Sequence, residues 1–166
     1  MPGVLLLWLS LPILPVRVLA SVPIQNLNYD MGENVGWPEL VAQVAGVRDQ
    51  LPDAERAGAV VLTSNYGEAG AIDRYGSAFG LPTSYSGHNT YWWWGPPVAH
   101  GGPNAVTMAV GFDRSQLTPY FGDVRLAATV HNDAGVANDE EGAPIWVCTG
   151  QHEPWSLIWS QFRHYG

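Results

Sequence analysis

A β-branched run that leads directly into a capped helix is the feature that most constrains this fold. Residues Ala59 to Thr63 read AVVLT, a pattern typical of a buried strand. Asn65 follows, and Glu68 three residues later completes the pattern of a capping box. The helix is predicted to run to about Phe79 and to end at Gly80, which suits a helix C-terminus. Such a strand–turn–helix unit is typical of α/β proteins, which form ligand crevices where strands meet helix N-termini.

The rest of the chain continues this alternation of strand and helix patterns. Trp37 to Leu51 has apolar residues at the three-to-four spacing of one helical face, with Pro38 in the first turn. Further strands are predicted at residues 105–112, 124–131 and 144–149, and short helices at 115–121 and 154–162. The chain is therefore predicted to be an α/β protein with a small, mostly parallel sheet flanked by helices, preceded by a short apolar N-terminal helix.

The apolar N-terminal segment, residues 1–20, is assigned separately from the rest of the chain. It has the character of a signal peptide cut after Ala20, of a short membrane span, or of the end of a last transmembrane helix over Val4 to Leu14. Residues 21–36 are predicted to be a polar connector, and residues 37–166 the α/β domain. Each of the three interpretations is compatible with a domain outside the cytoplasm.

Charge and cysteine content exclude several kinds of partner. The net charge is −8 and lysine is absent, so no basic cluster is available for nucleic-acid phosphates. Cys148 is the only cysteine, which excludes an internal disulfide and a cysteine-based zinc site. The histidines show no metal-ligand spacing, and neither a metal nor another cofactor is predicted. Cys148 lies in an apolar strand pattern and is predicted to fill space in the core.

Glu68, at the helix N-terminus, is the first candidate for a binding role, together with Asn65 and Tyr66. A phosphate site is not expected there, because a carboxylate occupies the helix end and neither a P-loop lysine nor a GxGxxG pattern follows. Glu68 is predicted either to accept hydrogen bonds from sugar hydroxyls or to serve only as a helix cap. Glu68 and Asp73 do not suit a glycosidase pair, because helical positions five apart point about 140° away from each other.

Two more candidates, His88 and Asn89, lie in a turn rich in hydrogen-bonding groups. Histidine is suited to general-base chemistry near neutral pH, and asparagine to binding hydroxyl groups. The local sequence places no serine or cysteine nucleophile beside them, so a purely structural turn is the alternative.

The run of aromatic residues from Tyr91 through Trp92, Trp93 and Trp94 completes the candidate set. If this run is a strand, Trp92 and Trp94 share one face and Trp93 occupies the other. At least one ring is then exposed to a sugar or a membrane interface, where tryptophan is favoured. Packing between elements of the fold is the alternative role.

The motifs SNYGEAGAIDRYG, GLP and SGHNTYWWWGPP carry a resemblance to a known family. The chain resembles the C-terminal extracytoplasmic domain of bacterial GT-C membrane glycosyltransferases of the family 39 type. These are related to protein mannosyltransferases and to the lipid A aminoarabinose transferase. The flanking stretches NYDMGENVGWPELVAQVA and PWSLIWSQFRHYG are similar to flanks of the same domain, so the resemblance extends from about Asn26 to the C-terminus.

The resemblance implies a role without catalysis. In that family a polytopic membrane region transfers a sugar from a polyprenyl-phosphate donor, and its catalytic acids lie in a loop that no stretch here matches. The chain is thus expected to be an accessory domain or fragment on the extracytoplasmic face of the bacterial plasma membrane. Its expected partners are the transmembrane region, a lipid-linked sugar or glycan acceptor, and the membrane surface. A secreted carbohydrate-binding module and a small hydrolase using His88 with Glu68 are the alternative hypotheses.

Overall fold

The computed structural model of the chain describes residues 15–23, 26, 28–97 and 105–166. Within these residues the α-helices are α1 (Val16–Leu19), α2 (Tyr29–Glu33), α3 (Trp37–Asp49), α4 (Asp53–Arg56), α5 (Tyr66–Tyr75), α6 (Arg114–Leu117) and α7 (Trp155–Ile158). Short 3-10 helices cover Gly76–Phe79, Asn89–Trp94 and Trp159–Phe162. The strands are β1 (Val60–Thr63), β2 (Ser84–Ser86), β3 (Thr107–Val110), β4 (Phe121–Thr129) and β5 (Pro144–Gln151).

The described strands form one sheet in the order β2-β1-β3-β5-β4. β1 pairs in parallel with both β2 and β3, whereas β5 is antiparallel to both β3 and β4. Helices pack on both faces, which confirms the predicted α/β class.

The sheet is mixed rather than mostly parallel, and the difference is due to β5. A parallel return from β4 would need a crossover, usually through a helix. The segment from 130 to 143 contains turns and irregular backbone instead. Its Val136 packs with Leu19 and Met31, beyond the sheet, so the chain re-enters between β3 and β4 in the opposite direction.

Alternate residues along the strands build two separate cores. Val61 and Met108 face α3 and α5, whereas Leu62, Ala109 and Cys148 face the C-terminal helices. This alternation follows from the two-residue period of a strand. Cys148 is completely buried, which confirms its predicted role as an apolar filler, and burial raises the pKa of its thiol to about 12.

The predicted N-terminal apolar helix falls mostly on residues 1–14, outside the described residues, and stays a prediction; α1 covers only Val16–Leu19. Among the helices of the described residues, none combines the length and apolar character that crossing a membrane requires. The predicted connector contains the helix α2, whose Met31 is buried against Leu19 and Val136. Residues 28–36 therefore pack on the loop between β4 and β5.

Trp37, the first residue of α3, is expected to contribute less to stability than full burial would imply. Trp37 is predicted from its place on this helix to be buried, but the structure shows it partly exposed at the edge of the first core, so the prediction of full burial is wrong. We expect Trp37→Ala to lower the free energy of unfolding by about 2 kcal/mol, below the 3–5 kcal/mol of a fully buried tryptophan. Urea denaturation checks this value; a change above ~4 kcal/mol would indicate full burial.

Candidate functional site

The candidate site lies where the order of the parallel strands reverses. β1 leads through α5 to β2 on one side, and β3 pairs with β1 on the other side. Such a reversal opens a crevice at the carboxyl ends of the strands, which is where α/β proteins commonly bind ligands. Ser64 follows β1 and Gly111 follows β3, so both lie at this opening.

Glu68 is enclosed at this edge and held by its own helix N-terminus. The Asn65 side chain accepts a hydrogen bond from the Glu68 N–H at 2.9 Å, and the Glu68 carboxylate accepts one from the Asn65 N–H at 3.1 Å. The predicted capping box is therefore confirmed. Ser64 Oγ donates a further hydrogen bond to this carboxylate at 3.1 Å. Glu68 is only 1% exposed, and burial raises its pKa to about 7 although these hydrogen bonds oppose the shift.

Gly111 provides the space that the Glu68 carboxyl occupies. Its φ of +76° belongs to the left-handed region, and a Cβ there would collide with the Glu68 carboxyl and with Ser64 Oγ. Sequence reasoning did not identify this glycine as part of the site, because its partners are more than forty positions away along the chain. Its only sequence signal is its place immediately after an apolar strand.

His88 and Asn89 connect the edge of β2 to the C-terminal segment. His88 Nδ1 accepts a hydrogen bond from the Tyr66 N–H at 3.4 Å, and its ring stacks on His164 at a centroid distance of 4.7 Å. Burial, together with the neighbouring His164, lowers the pKa of His88. Asn89 has a φ of +52° and donates its N–H to the His164 carbonyl at 2.9 Å. Among the described residues no hydrogen bond joins His88 to Glu68.

The aromatic run is a 3-10 helix, so its treatment as a strand is wrong. Residues three apart lie above one another in a 3-10 helix, and the rings of Tyr91 and Trp94 are accordingly 4.4 Å apart. Trp92 is instead fixed inward, because it and Trp159 each donate an indole N–H to the other's carbonyl at 3.2 Å. Trp93 and Trp94 remain 67% and 70% exposed.

Of these two exposed rings, that of Trp93 borders an open groove of about 580 Å³, which we call the aromatic groove. Its lining consists of Tyr66, Asn89, Thr90, Tyr91, Trp93 and Tyr165. The Arg163 guanidinium lies 5.0 Å from the Trp93 ring centroid and 5.3 Å from that of Tyr165, which holds the two rings together. On the other side, the Tyr91 hydroxyl donates to Asp73 at 2.9 Å, and burial and this hydrogen bond raise the pKa of Tyr91.

A second cavity, of about 350 Å³, is also lined by Tyr66, and we call it the acidic cavity. Four carboxyl side chains and two aromatic rings are among its lining residues: Asp30, Glu33, Asp139, Glu140, Trp37 and Tyr66. This cavity was not predicted from the sequence, because its acids come from α2 and from the loop between β4 and β5, about one hundred residues apart. Within the described ranges, no three His, Cys, Asp or Glu side chains are arranged to hold a metal ion.

The chain matches no protein-family model, no curated protein and no solved structure. Function is therefore inferred from the residues themselves and from their geometry. The resemblance to membrane glycosyltransferases stays a prediction from sequence motifs.

Proposed function

We propose that this chain is a non-catalytic domain of a GT-C type membrane glycosyltransferase, and that its aromatic groove contacts the glycan acceptor. The observation that carries the proposal is the exposure of Trp93 and Tyr165, at 67% and 68%, in the lining of one groove. Single exposed apolar residues are common on proteins, but a contiguous exposed patch marks an interaction surface.

The composition of the groove favours a carbohydrate over a purely apolar ligand. The aromatic rings offer flat apolar faces that suit the C–H faces of a sugar ring. Asn89 and Thr90 line the same groove and carry amide and hydroxyl groups that suit sugar hydroxyls. The contact of Arg163 with Trp93 and Tyr165 orders these rings before a ligand arrives, which lowers the entropic cost of binding.

The environment of Glu68 supports a non-catalytic role for the domain. Its carboxyl is enclosed by Ser64, Asn65 and the space left by Gly111, and it has no hydrogen bond to His88 among the described residues. The hydrolase hypothesis therefore lacks a hydrogen-bonded acid–base pair. In a GT-C enzyme the transmembrane region would supply the transfer chemistry, and this domain would lie on the extracytoplasmic face beside the membrane surface.

Trp93→Ala is expected to weaken glycan binding by tenfold or more, about 1.4 kcal/mol, because the variant removes an exposed indole ring that lines the groove. The measurement is calorimetric titration of the purified chain with ligands selected from an array of bacterial and mannose-containing oligosaccharides. Phe79→Ala is the matched control, since Phe79 is also exposed but does not line the groove. An equal loss of affinity in both variants, or an array without any bound glycan, would argue against the proposal.

A separate test shows whether this chain is part of a membrane glycosyltransferase. An in-frame genomic region upstream of Met1 that encodes many apolar spans would support it. A start signal immediately upstream of Met1 would favour the secreted carbohydrate-binding module, which uses the same groove. Sugar transfer from a polyprenyl-phosphate donor by the purified chain would contradict the non-catalytic role.

A further inference from the structure

One arginine beside the aromatic groove has no acidic partner in the part of the chain that the structure describes. Arg163 is exposed, and its guanidinium lies over the Trp92 ring, 4.4 Å from the ring centroid. It also contacts the rings of Trp93 and Tyr165, at 5.0 Å and 5.3 Å. The ion pairs of arginine among the described residues lie instead on α3 and α4. The fold therefore holds Arg163 by aromatic rings and not by a carboxylate.

The ring contacts leave the hydrogen-bonding capacity of Arg163 unused. A guanidinium over an aromatic face interacts through its charge and its flat face. Its N–H donors lie at the edge of the group, in a planar fork that matches the two oxygens of a carboxylate. Such a bidentate pair is both stronger and more directional than a neutral hydrogen bond. The rings thus position Arg163 to bind an anionic group of a ligand in the groove.

Among the described residues, no acid lines the aromatic groove to pair with Arg163. The lining consists of four aromatic residues, an asparagine and a threonine. Asp73 contacts one of these residues, because it accepts a hydrogen bond from the Tyr91 hydroxyl at 2.9 Å. Asp73 is also held by the Ser84 N–H at 2.9 Å, which ties it to β2. A guanidinium beside a groove without acidic lining favours a ligand that carries a negative charge.

The charge of the whole chain indicates which kind of anion fits. The net charge of −8 repels anions, although ions screen this repulsion over about 8 Å at physiological ionic strength. The acidic cavity adds to the repulsion on the side of Tyr66, whereas Arg163 contacts Trp93 and Tyr165. A carboxylate carries a single negative charge, which one guanidinium balances. A phosphate monoester carries about −1.5 to −2, so it needs further cations, and the chain has no lysine.

We propose that the aromatic groove selects glycans that contain a uronic acid, and that Arg163 pairs with the carboxylate while the sugar ring packs on Trp93 and Tyr165. This inference rests on the proposed glycan site and adds the chemical class of sugar that the site takes. Arg163 then determines specificity besides ordering the rings. Because the pair is exposed to solvent, salt weakens it, and the affinity for an acidic glycan falls as ionic strength rises.

A matched pair of trisaccharides tests the preference. The β-1,4-linked trimers of mannose and of mannuronic acid have the same linkage and ring stereochemistry and differ only in the hydroxymethyl or carboxylate group on each ring. Each trimer is titrated calorimetrically into the purified chain at pH 7, at low and at high sodium chloride. The expected result is binding of the mannuronate trimer that is tighter by about tenfold or more at low salt, and a smaller preference at high salt. Equal affinities would overturn the inference and leave the glycan site intact.

Matched variants assign the preference to Arg163. Arg163→Gln, with folding verified by circular dichroism, is expected to reduce the preference for the mannuronate trimer to about twofold or less. The ratio of the two affinities is the decisive readout, because rings that merely lost their order would bind both trimers more weakly. Arg125→Gln changes the net charge equally at an exposed position on β4, at the opposite edge of the sheet from β2, and should keep the ratio. A ratio that persists in Arg163→Gln, or is lost equally in Arg125→Gln, would contradict the assignment.

Two further outcomes are distinguished. If Arg163→Gln does not fold, Arg163→Lys provides the comparison, since its ammonium keeps the charge but lacks the planar fork and should lower the ratio. If neither trimer binds, the glycan array decides. Bound glycans that all lack a carboxylate would overturn the inference while supporting the glycan site, and an array without any bound glycan would contradict both. Bound glycans that carry a uronic acid, with binding lost in Arg163→Gln, would support the inference.

Discussion

Gly87→Ala is expected to lower the free energy of unfolding by about 3 kcal/mol. A Cβ at Gly87 would overlap the main-chain carbonyl of Phe162. A flexible side chain could rotate away from such a contact, but a backbone carbonyl moves only if its segment moves. Overpacking of a filled interior typically costs about 1–3 kcal/mol, and rigid backbone on both sides places this case at the upper end.

The same substitution is expected to disturb the aromatic groove. The His164 N–H donates to the Gly87 carbonyl at 3.1 Å, and the Asn89 N–H donates to the His164 carbonyl at 2.9 Å. These bonds fix the C-terminal segment, and with it Tyr165, beside the edge of β2. Displacement of this segment should therefore lower the affinity for glycans as well as the free energy of unfolding.

Gly46→Ala is the matched control for this prediction. Gly46 lies inside α3, and a Cβ there would meet nothing within 4 Å. Alanine is the better helix former, so the variant should be more stable by about 0.5–1 kcal/mol. Urea denaturation of both variants measures the contrast; if Gly87→Ala falls within ~1 kcal/mol of the parent, the C-terminal segment is not packed on Gly87.

The second large effect is a loss of stability as pH rises. In the unfolded chain Glu68 ionises near its ordinary pKa of 4.5, whereas burial raises the folded-state pKa to about 7. Between these values the folded state binds more protons than the unfolded state, so the free energy of unfolding falls as pH increases. The stabilisation is fully present below pH 4.5 and is lost by about pH 7. The difference of the two pKa values corresponds to about 3 kcal/mol.

Glu68→Gln is expected to remove most of this dependence. Glutamine at this position still completes a capping box, but it does not ionise. The variant should therefore be more stable than the parent at pH 8 and show a flatter profile between pH 5 and pH 8. Glu140, whose pKa is also raised by burial, contributes a residual slope of the same sign. Urea unfolding at several pH values is the measurement. Glu55→Gln should keep the parent slope, and an equally steep profile in Glu68→Gln would contradict the assignment.

Local signals in the sequence were sufficient for the helices that frame the site. The spacing of apolar residues predicts α3, and the pair Asn65 and Glu68 predicts the start of α5, because capping and amphipathicity depend on residues only a few positions apart. Gly80 adopts the left-handed conformation at the predicted helix end for the same reason.

The aromatic run shows where local patterns were not enough. Aromatic residues have high strand propensity, but Asn89 bends the backbone and Trp159 pairs with Trp92 from a distant helix. The pairing of Trp92 with Trp159 determines which tryptophan is enclosed. The exposure of Trp93, on which the proposed function depends, is thus determined by tertiary contacts.

The sequence alone determined the α/β class, the capping box with Glu68 at its centre and the buried role of Cys148, because strand period, caps and apolar runs are local properties. Only the tertiary structure decided the reversed direction of β5, the partial exposure of Trp37 and the meeting of Glu33 with Glu140. Each of these depends on contacts between segments far apart in the chain. The energy of such contacts comes from packing and desolvation, which no short stretch of sequence contains.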